Sequence, residues 1–166
     1  MGSGLCWVVD TSPLVFLAKL DRLELLRRGA KEILVPTAVI EEVRQYRDEA
    51  ARHVEVALTE WLNLRPVEDK GLLGLLRADL GSGEAEVLAL ARETGADRII
   101  MDDEDGRRYA ARLGLERMGT LGLLLAARLR GEIPSLADEI ERLRHAGFRA
   151  KERLLRAVLQ EAGELT

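Results

Sequence analysis

The chain has 166 residues, of which 47% are hydrophobic and 33% charged, and its formal net charge is −4 at pH 7. This composition suits one compact domain and excludes a disordered segment of low hydrophobicity. The single cysteine, Cys6, excludes an intramolecular disulfide and a cysteine-rich zinc site. His53 and His145 are far apart in the sequence, which disfavours zinc hydrolases and histidine-based nucleophilic chemistry.

The predicted location follows from what the sequence lacks. Its longest apolar run, 121–127, is much shorter than the roughly 20 residues of a membrane-spanning helix. Residues 1–4 have no basic region of a signal peptide, and we interpret them as an added or flexible N-terminus. We therefore expect a cytoplasmic protein with no membrane partner.

The hydrophobic pattern predicts strands and helices that alternate along the whole chain. Short apolar runs predict strands over residues 6–9, 33–35, 98–101 and 116–118. Helical spacing predicts helices over residues 14–20, 21–28, 37–46, 50–62, 84–93, 107–113, 120–130, 136–146 and 149–162. Residues 72–80 suit either a helix or a turn. The alternation predicts an α/β fold with a parallel sheet and helices on both faces, in one domain with a helical extension from about residue 135.

Small polar residues indicate where several of these helices begin. Ser12, Thr37, Thr120 and Ser135 each stand where an N-cap is expected, because their hydroxyl groups can accept a hydrogen bond from a free backbone N–H. Gly81-Ser82-Gly83 marks a break before the helix that contains Glu84.

Acidic residues occur near the predicted carboxyl ends of the strands, where open parallel sheets place their sites. Four segments supply them: Asp10, Glu41 with Glu42, Glu84, and Asp102 with Asp103. Carboxylates brought together repel each other and need a compensating cation. All-oxygen ligands favour Mg²⁺ or Mn²⁺, the metals of phosphoryl chemistry. The pattern therefore indicates a metal-dependent site that acts on phosphate.

Each acid also has a purely structural interpretation. Asp10 suits a helix cap, and acids in a first helical turn, such as Glu84 and 102–105, are favoured by the helix dipole. The Glu41-Glu42 pair suits a solvated helix surface. The joint placement of the four segments, rather than any single residue, indicates function.

Five motifs, in this order, resemble the PIN domain family, and specifically its VapC-like branch of toxin–antitoxin proteins. They occupy residues 8–14, 35–43, 80–86, 99–108 and 119–122, and the tail 147–164 resembles one branch of these proteins. The resemblance covers nearly the whole chain. It implies a three-layer α/β/α fold with a central, mostly parallel sheet of four or five strands.

The resemblance also implies an Mg²⁺- or Mn²⁺-dependent endoribonuclease. By position, the catalytic acids of the family fall on Asp10, Glu42, Glu84 and Asp103, with Asp102 as the alternative to Asp103. The metal ligands implied are Asp10, Glu84, Asp102 and Asp103. The supporting positions implied are Thr11 or Ser12, whose hydroxyl assists the water shell of the metal, and Glu41. The sequence departs from many relatives at Met101, where they carry Thr, Arg or Asn.

The partners implied are an RNA substrate, a cognate antitoxin and a second copy of the chain. Arg107 and Arg108 lie one or two turns past the last acids, so they can hold substrate phosphate or remain solvated helix charges. The apolar stretches 121–129 and 154–159 are interpreted as core, or else as a dimer face. The alternative function is a non-catalytic PIN-fold module that binds RNA or protein. Binding of Mg²⁺ or Mn²⁺ would separate the two.

Overall fold

The computed structural model describes residues 5–165, so the interpretation of residues 1–4 lies outside it. Its centre is a five-stranded sheet in which every pairing is parallel. The strands, in chain order, are β1 (Cys6–Val9), β2 (Glu32–Val35), β3 (Leu62–Leu64), β4 (Arg98–Ile100) and β5 (Arg117–Met118). Their order across the sheet is β3-β2-β1-β4-β5. The predicted α/β class and the central sheet are confirmed.

Ten helices in the described part of the chain flank this sheet. They are α1 (Thr11–Lys19), α2 (Glu24–Gly29), α3 (Thr37–Tyr46), α4 (Glu49–Glu60), α5 (Lys70–Leu76), α6 (Ser82–Thr94), α7 (Glu104–Arg112), α8 (Thr120–Leu129), α9 (Leu136–His145) and α10 (Glu152–Glu161). None of the helices in residues 5–165 is long and apolar enough to cross a membrane. The segment 72–80, which suited a helix or a turn, contains most of α5 followed by a turn.

The core forms where β1 and β4 meet the helix α6. Val8, Val9, Ile99 and Ile100 are fully buried because helices cover both faces of the central strands. Every residue of α6 from 85 to 91 is also buried, so this helix is enclosed rather than amphipathic. The buried helix fixes the position of its own N-terminus, where Gly83 and Glu84 lie.

Strand β3 was not predicted, since the sequence pattern extended the preceding helix to Leu62. This strand pairs with β2 at the sheet edge, where Val35 lies opposite Leu64. Only Leu62 is buried, while Asn63 and Leu64 are exposed. A three-residue edge strand with one buried side chain produces no apolar run, so local pattern cannot reveal it.

Three of the four predicted helix caps are wrong. Ser12, Thr37 and Thr120 lie inside the first turn, and the N-cap positions are the residues Asp10, Pro36 and Gly119. At Ser135 the prediction is correct, since its hydroxyl oxygen accepts a hydrogen bond from the N–H of Asp138 at 3.1 Å.

Distant carboxylates satisfy two of these helix starts instead. The side chain of Glu86 accepts a hydrogen bond from the N–H of Ala38 in α3 at 2.9 Å. The side chain of Asp102 accepts one from the N–H of Thr120 in α8 at 2.7 Å. Because 48 and 18 residues separate these partners, a local capping pattern does not show them.

The C-terminal extension is held to the domain by one buried carboxylate and one half-buried carboxylate. Glu139 lies between the guanidinium groups of Arg22, at 2.9 Å, and Arg142, at 3.1 Å. Glu164 pairs with Arg128 at 2.8 Å and accepts hydrogen bonds from two N–H groups at the start of α9. Burial alone would raise the pKa of Glu164, but these hydrogen bonds and the Arg128 guanidinium hold it below its ordinary value.

Candidate functional site

The carboxyl ends of β1 and β4 open into a cavity of about 410 Å³, which we call the acid pocket. The two strands lie side by side, and the N–H of Asp10 donates to the carbonyl oxygen of Ile100 at 2.9 Å. The loop after β4 is therefore brought next to the end of β1. Five carboxylates line the pocket: Asp10, Glu42, Glu84, Asp102 and Asp103.

Asp10 is the most buried of these acids, at 5% exposed. It occupies the N-cap position of α1, yet its carboxylate makes no capping hydrogen bond. Burial raises its pKa to about 7. The N–H of Thr11 lowers this pKa in part, and the nearby carboxylates raise it further, in the order Glu84, Glu42, Asp102. Within residues 5–165, Asp10 forms no ion pair that would offset the repulsion.

Asp102 is held in one orientation by three donors. The hydroxyl of Ser12 donates to its carboxylate at 2.9 Å, and the hydroxyl and N–H of Thr120 each donate at 2.7 Å. The predicted supporting residue Ser12 thus contacts an acid of the pocket. Thr120, predicted only as a helix cap, is fully buried and fixes the same acid.

The structure gives different surroundings to Asp102 and Asp103, the two aspartates between which the sequence did not decide. Asp103 caps α7, and its Oδ2 accepts a hydrogen bond from the N–H of Gly106 at 2.8 Å. Its carboxylate lines the pocket but is not among those that raise the pKa of Asp10. Both aspartates therefore line the acid pocket, and Asp102 is the one of the two that raises the pKa of Asp10.

The two adjacent glutamates of α3 also differ in their surroundings. Glu42 is half-buried and lines the acid pocket, whereas Glu41 is exposed and does not line it. A Cβ atom on Gly83 would lie 2.5 Å from Oε1 of Glu42 and 3.6 Å from Oδ1 of Asp10. Only glycine therefore lets the N-terminus of α6 approach both acids this closely.

Glu86 is a positioning residue that sequence reasoning missed. Besides accepting the hydrogen bond from Ala38, it pairs with Arg77 at 3.1 Å. The bond to Ala38 joins α6, which carries Glu84, to the start of α3, which carries Glu42. Its only sequence signal is a charged residue inside the buried run 85–91 of α6.

Other predicted residues have different surroundings. Thr11 lines the acid pocket, and its buried Oγ1 has no hydrogen-bond partner among the described residues. Arg107 and Arg108 line a neighbouring groove and not the acid pocket, and Arg108 forms an ion pair with Asp105. Lys19 and Tyr46, which the sequence did not single out, lie at the rim of the pocket.

The chemistry of the acid pocket fits a hard divalent cation. Its side chains offer only oxygen ligands, Asp10 is buried without a cation, and the Thr11 hydroxyl is unpartnered. Within residues 5–165, no three acidic, histidine or cysteine side chains already form a set of metal ligands. Binding of a divalent ion therefore requires some of the pocket's side chains to move.

A comparison with protein families decides the classification. A family model described as a PIN domain (DUF3368) matches residues 6–164. The chain belongs to the PIN domain family. PIN domains are generally nucleases and usually use divalent metal ions, which agrees with the oxygen-rich pocket. The family match does not extend to the VapC branch, which stays a prediction.

A solved structure supports the same fold. The chain is similar to a PilT N-terminus domain protein, SSO1118, from the hyperthermophilic archaeon Sulfolobus solfataricus P2, with a TM-score of 0.53 and 20% sequence identity. The match covers 74% of this chain and 93% of that one. At this identity the likeness shows the fold alone. No curated protein matches the chain.

Proposed function

We propose that this PIN domain protein is an Mg²⁺- or Mn²⁺-dependent endoribonuclease that hydrolyses phosphodiester bonds at the acid pocket. One observation carries the proposal. A buried carboxylate, Asp10, lies in one pocket with four other acids and has no ion-pair partner in the described part of the chain. Such a group keeps its negative charge at neutral pH only when a bound cation offsets it, and otherwise it takes up a proton.

In this proposal Asp10, Glu84 and Asp102 hold the metal ion, and Glu42 orients the attacking water. When bound, Mg²⁺ or Mn²⁺ supplies charge neutralisation at the scissile phosphate and a water of lowered pKa. Ser12 and Thr120 keep Asp102 from rotating away, since they occupy its oxygens with three hydrogen bonds. Gly83 lets Glu42 lie beside Asp10.

The same charges make the nuclease depend on its metal for binding as well as for chemistry. Without a divalent ion, the carboxylates of the pocket repel an RNA phosphate. Chelation should therefore remove both productive RNA binding in the pocket and cleavage.

The proposal includes a biological setting. We infer that the protein is the toxin of a type II toxin–antitoxin pair in the cytoplasm, and that it works as a homodimer. The support is the resemblance of residues 35–43 and 99–108 to VapC-like proteins. Co-expression with the product of a neighbouring gene, followed by size-exclusion chromatography, tests this part. A monomer without a stable partner contradicts it.

Digestion of a labelled single-stranded RNA pool tests the activity itself. The reactions contain Mg²⁺, Mn²⁺ or EDTA, and the variants are Asp10→Asn and Glu84→Gln. Glu60→Gln is the matched control, because this glutamate is exposed and lies outside the acid pocket. We expect cleavage only with a divalent ion, its loss in both pocket variants, and no change in the control.

Calorimetric titration with Mg²⁺ and Mn²⁺ accompanies the cleavage assay. Metal binding to the wild type that is lost in Asp10→Asn supports the site. A folded wild type that binds neither metal and cuts no RNA would overturn the proposal and favour the non-catalytic module.

A further inference from the structure

A second, larger cavity of about 980 Å³ opens beside the acid pocket. Helix α7 and strand β5 supply one part of its lining, and the segment 147–151 with the start of α10 supplies another. We call it the arginine groove. Among its basic lining residues are Arg107, Arg112, Arg117, Arg149 and Lys151. Its acidic ones are Asp102 and Glu104.

The positive charge of this groove is largely uncompensated. Within residues 5–165, Arg107, Arg117, Arg149 and Lys151 form no salt bridge, although the chain as a whole carries a net charge of −4. Most arginines outside the groove pair with acids, as Arg44 does with Glu55 at 2.7 Å. Several unpaired cations around one groove repel each other, and an anionic ligand relieves that repulsion.

The groove lies directly beside the acid pocket. Ser12, Phe16 and Asp102 line both cavities, so these three residues form the boundary that the cavities share. A chain-like anion with one phosphate at the acids can therefore continue into the groove. Its next phosphates would meet guanidinium groups, which bind phosphate oxygens in bidentate fashion.

Aromatic side chains in the groove favour a nucleic acid over an acidic peptide. Phe16 and Phe148 both line it, and their half-buried rings meet edge to face with centroids 5.1 Å apart. Unstacked bases use such rings as stacking surfaces, whatever the sequence of the strand. An acidic peptide would use the cations but would have no bases to stack on these half-buried rings.

We propose that the arginine groove binds the phosphate backbone of single-stranded RNA next to the scissile bond. In this arrangement Arg149 and Lys151 of the C-terminal extension contact phosphates other than the one that is cut. The inference rests on the proposed function for the identity of the substrate. It assigns the extension a role in holding the strand, and predicts that long substrates are cut more efficiently than short ones.

Binding in EDTA tests the groove without cleavage. The double variant R149Q/K151Q is compared with K31Q/R52Q, which removes the same charge from exposed residues outside the groove. Fluorescence anisotropy with a labelled single-stranded RNA is measured over a range of salt concentrations. Each lost phosphate contact lowers the slope of log K against log salt by about 0.7 for a single strand. We expect a decrease of about 1.4 for R149Q/K151Q and none for the control.

Cleavage in Mg²⁺ separates failure of the groove from failure of the nuclease. We expect R149Q/K151Q to lower kcat/KM on a long strand about tenfold, with no change on a dinucleotide that has one phosphodiester bond. If wild type and variant cut the long strand equally well, the groove assignment is wrong while the nuclease stands. If the wild type cuts nothing but shows the salt-slope difference, the nuclease is wrong while the groove stands.

Two further measurements close the test. Thermal unfolding of both double variants verifies that they fold like the wild type, so that a lost affinity reports the groove. An acidic amphipathic peptide is titrated as a competitor. If this peptide binds through Arg149 and Lys151 and single-stranded RNA does not, the occupant is a protein and the inference is overturned.

Discussion

Two regions of the molecule bury carboxylates, but only one of them places opposite charges beside the buried group. In the C-terminal extension, Glu139 is 3% exposed and lies between two guanidinium groups, those of Arg22 and Arg142. In the acid pocket, Asp10 is 5% exposed and forms no ion pair within residues 5–165, and burial together with the nearby carboxylates raises its pKa to about 7. The fold thus neutralises one buried acid itself and leaves the other uncompensated.

The difference separates structural charge from functional charge. Desolvation of a carboxylate is unfavourable unless hydrogen bonds and an opposite charge offset it. For Glu139 the guanidinium groups of Arg22 and Arg142 meet this requirement, so no ligand is needed. The acid pocket does not, and it therefore lowers the stability of the metal-free protein. We interpret this uncompensated negative charge as the mark of a binding site for a divalent ion.

Asp10→Asn should produce the largest effect. Since a metal ion contributes several kcal/mol to stabilising a charged transition state, removal of a ligand should lower Mg²⁺-dependent RNA cleavage at least about 10³-fold. In EDTA at pH 8, the same variant should be more stable than the wild type, by up to ~4 kcal/mol, because the buried charge is gone. Cleavage assays and thermal unfolding measure the two effects, and a variant that is both inactive and destabilised would contradict the comparison.

The pH dependence of the metal-free wild type follows from the same shift. The pKa of Asp10 is raised from 3.8 to about 7 in the fold, so its protonated form favours the native state. This contribution is fully present below about pH 4 and is lost as the pH rises through 7. Asp10→Asn should lack that loss, which the difference between the two unfolding curves from pH 4 to pH 8 will show.

Glu139→Gln should have effects opposite to those of Asp10→Asn: it should lower stability and leave cleavage unchanged. Removing the negative charge takes the shared partner from the half-buried guanidinium of Arg22 and the exposed one of Arg142, which should lower the free energy of unfolding by ~2 kcal/mol. For a chain of this size, the melting temperature should fall by about 6 °C. Cleavage per folded molecule at 25 °C should be unchanged. A stable Glu139→Gln protein would show that the extension does not depend on this ion pair.

Gly83→Ala should lower activity without lowering stability. The new Cβ would lie 2.5 Å from Oε1 of Glu42, so this flexible side chain must move away from Asp10. We expect about a tenfold loss of cleavage. Gly74→Ala in α5 is the matched control, because nothing lies within 4 Å of its Cβ position. It should gain ~0.5–1 kcal/mol of stability and keep full activity.

Asp103→Ala should have the smallest effect. It removes the cap of α7, which should lower the free energy of unfolding by ~1 kcal/mol, and it should leave most of the cleavage activity. Asp102→Asn should instead abolish cleavage, since Asp102 is the acid beside Asp10. The reverse result would assign the metal to Asp103, the aspartate that the family resemblance favoured.

The sequence by itself determined the fold class and the neighbourhood of the site. Largely apolar runs such as 6–9 and 98–101 predict buried parallel strands, because such strands are covered on both faces. The acids that follow them must then meet at one edge of the sheet. These conclusions depend on local composition and on the geometry of parallel sheets, and both can be obtained from one chain.

Tertiary structure alone decided how the acids of each pair are placed around the acid pocket, and which contacts hold them there. Asp102 is separated from Asp103, and Glu42 from Glu41, by hydrogen bonds and contacts with Thr120, Gly83 and Ser12. Tertiary structure likewise decided the helix caps that Glu86 and Asp102 supply, and the edge strand β3. Partners distant in sequence create each of these features, and neighbouring residues of equal charge are distinguished only by the direction in which the folded backbone points them.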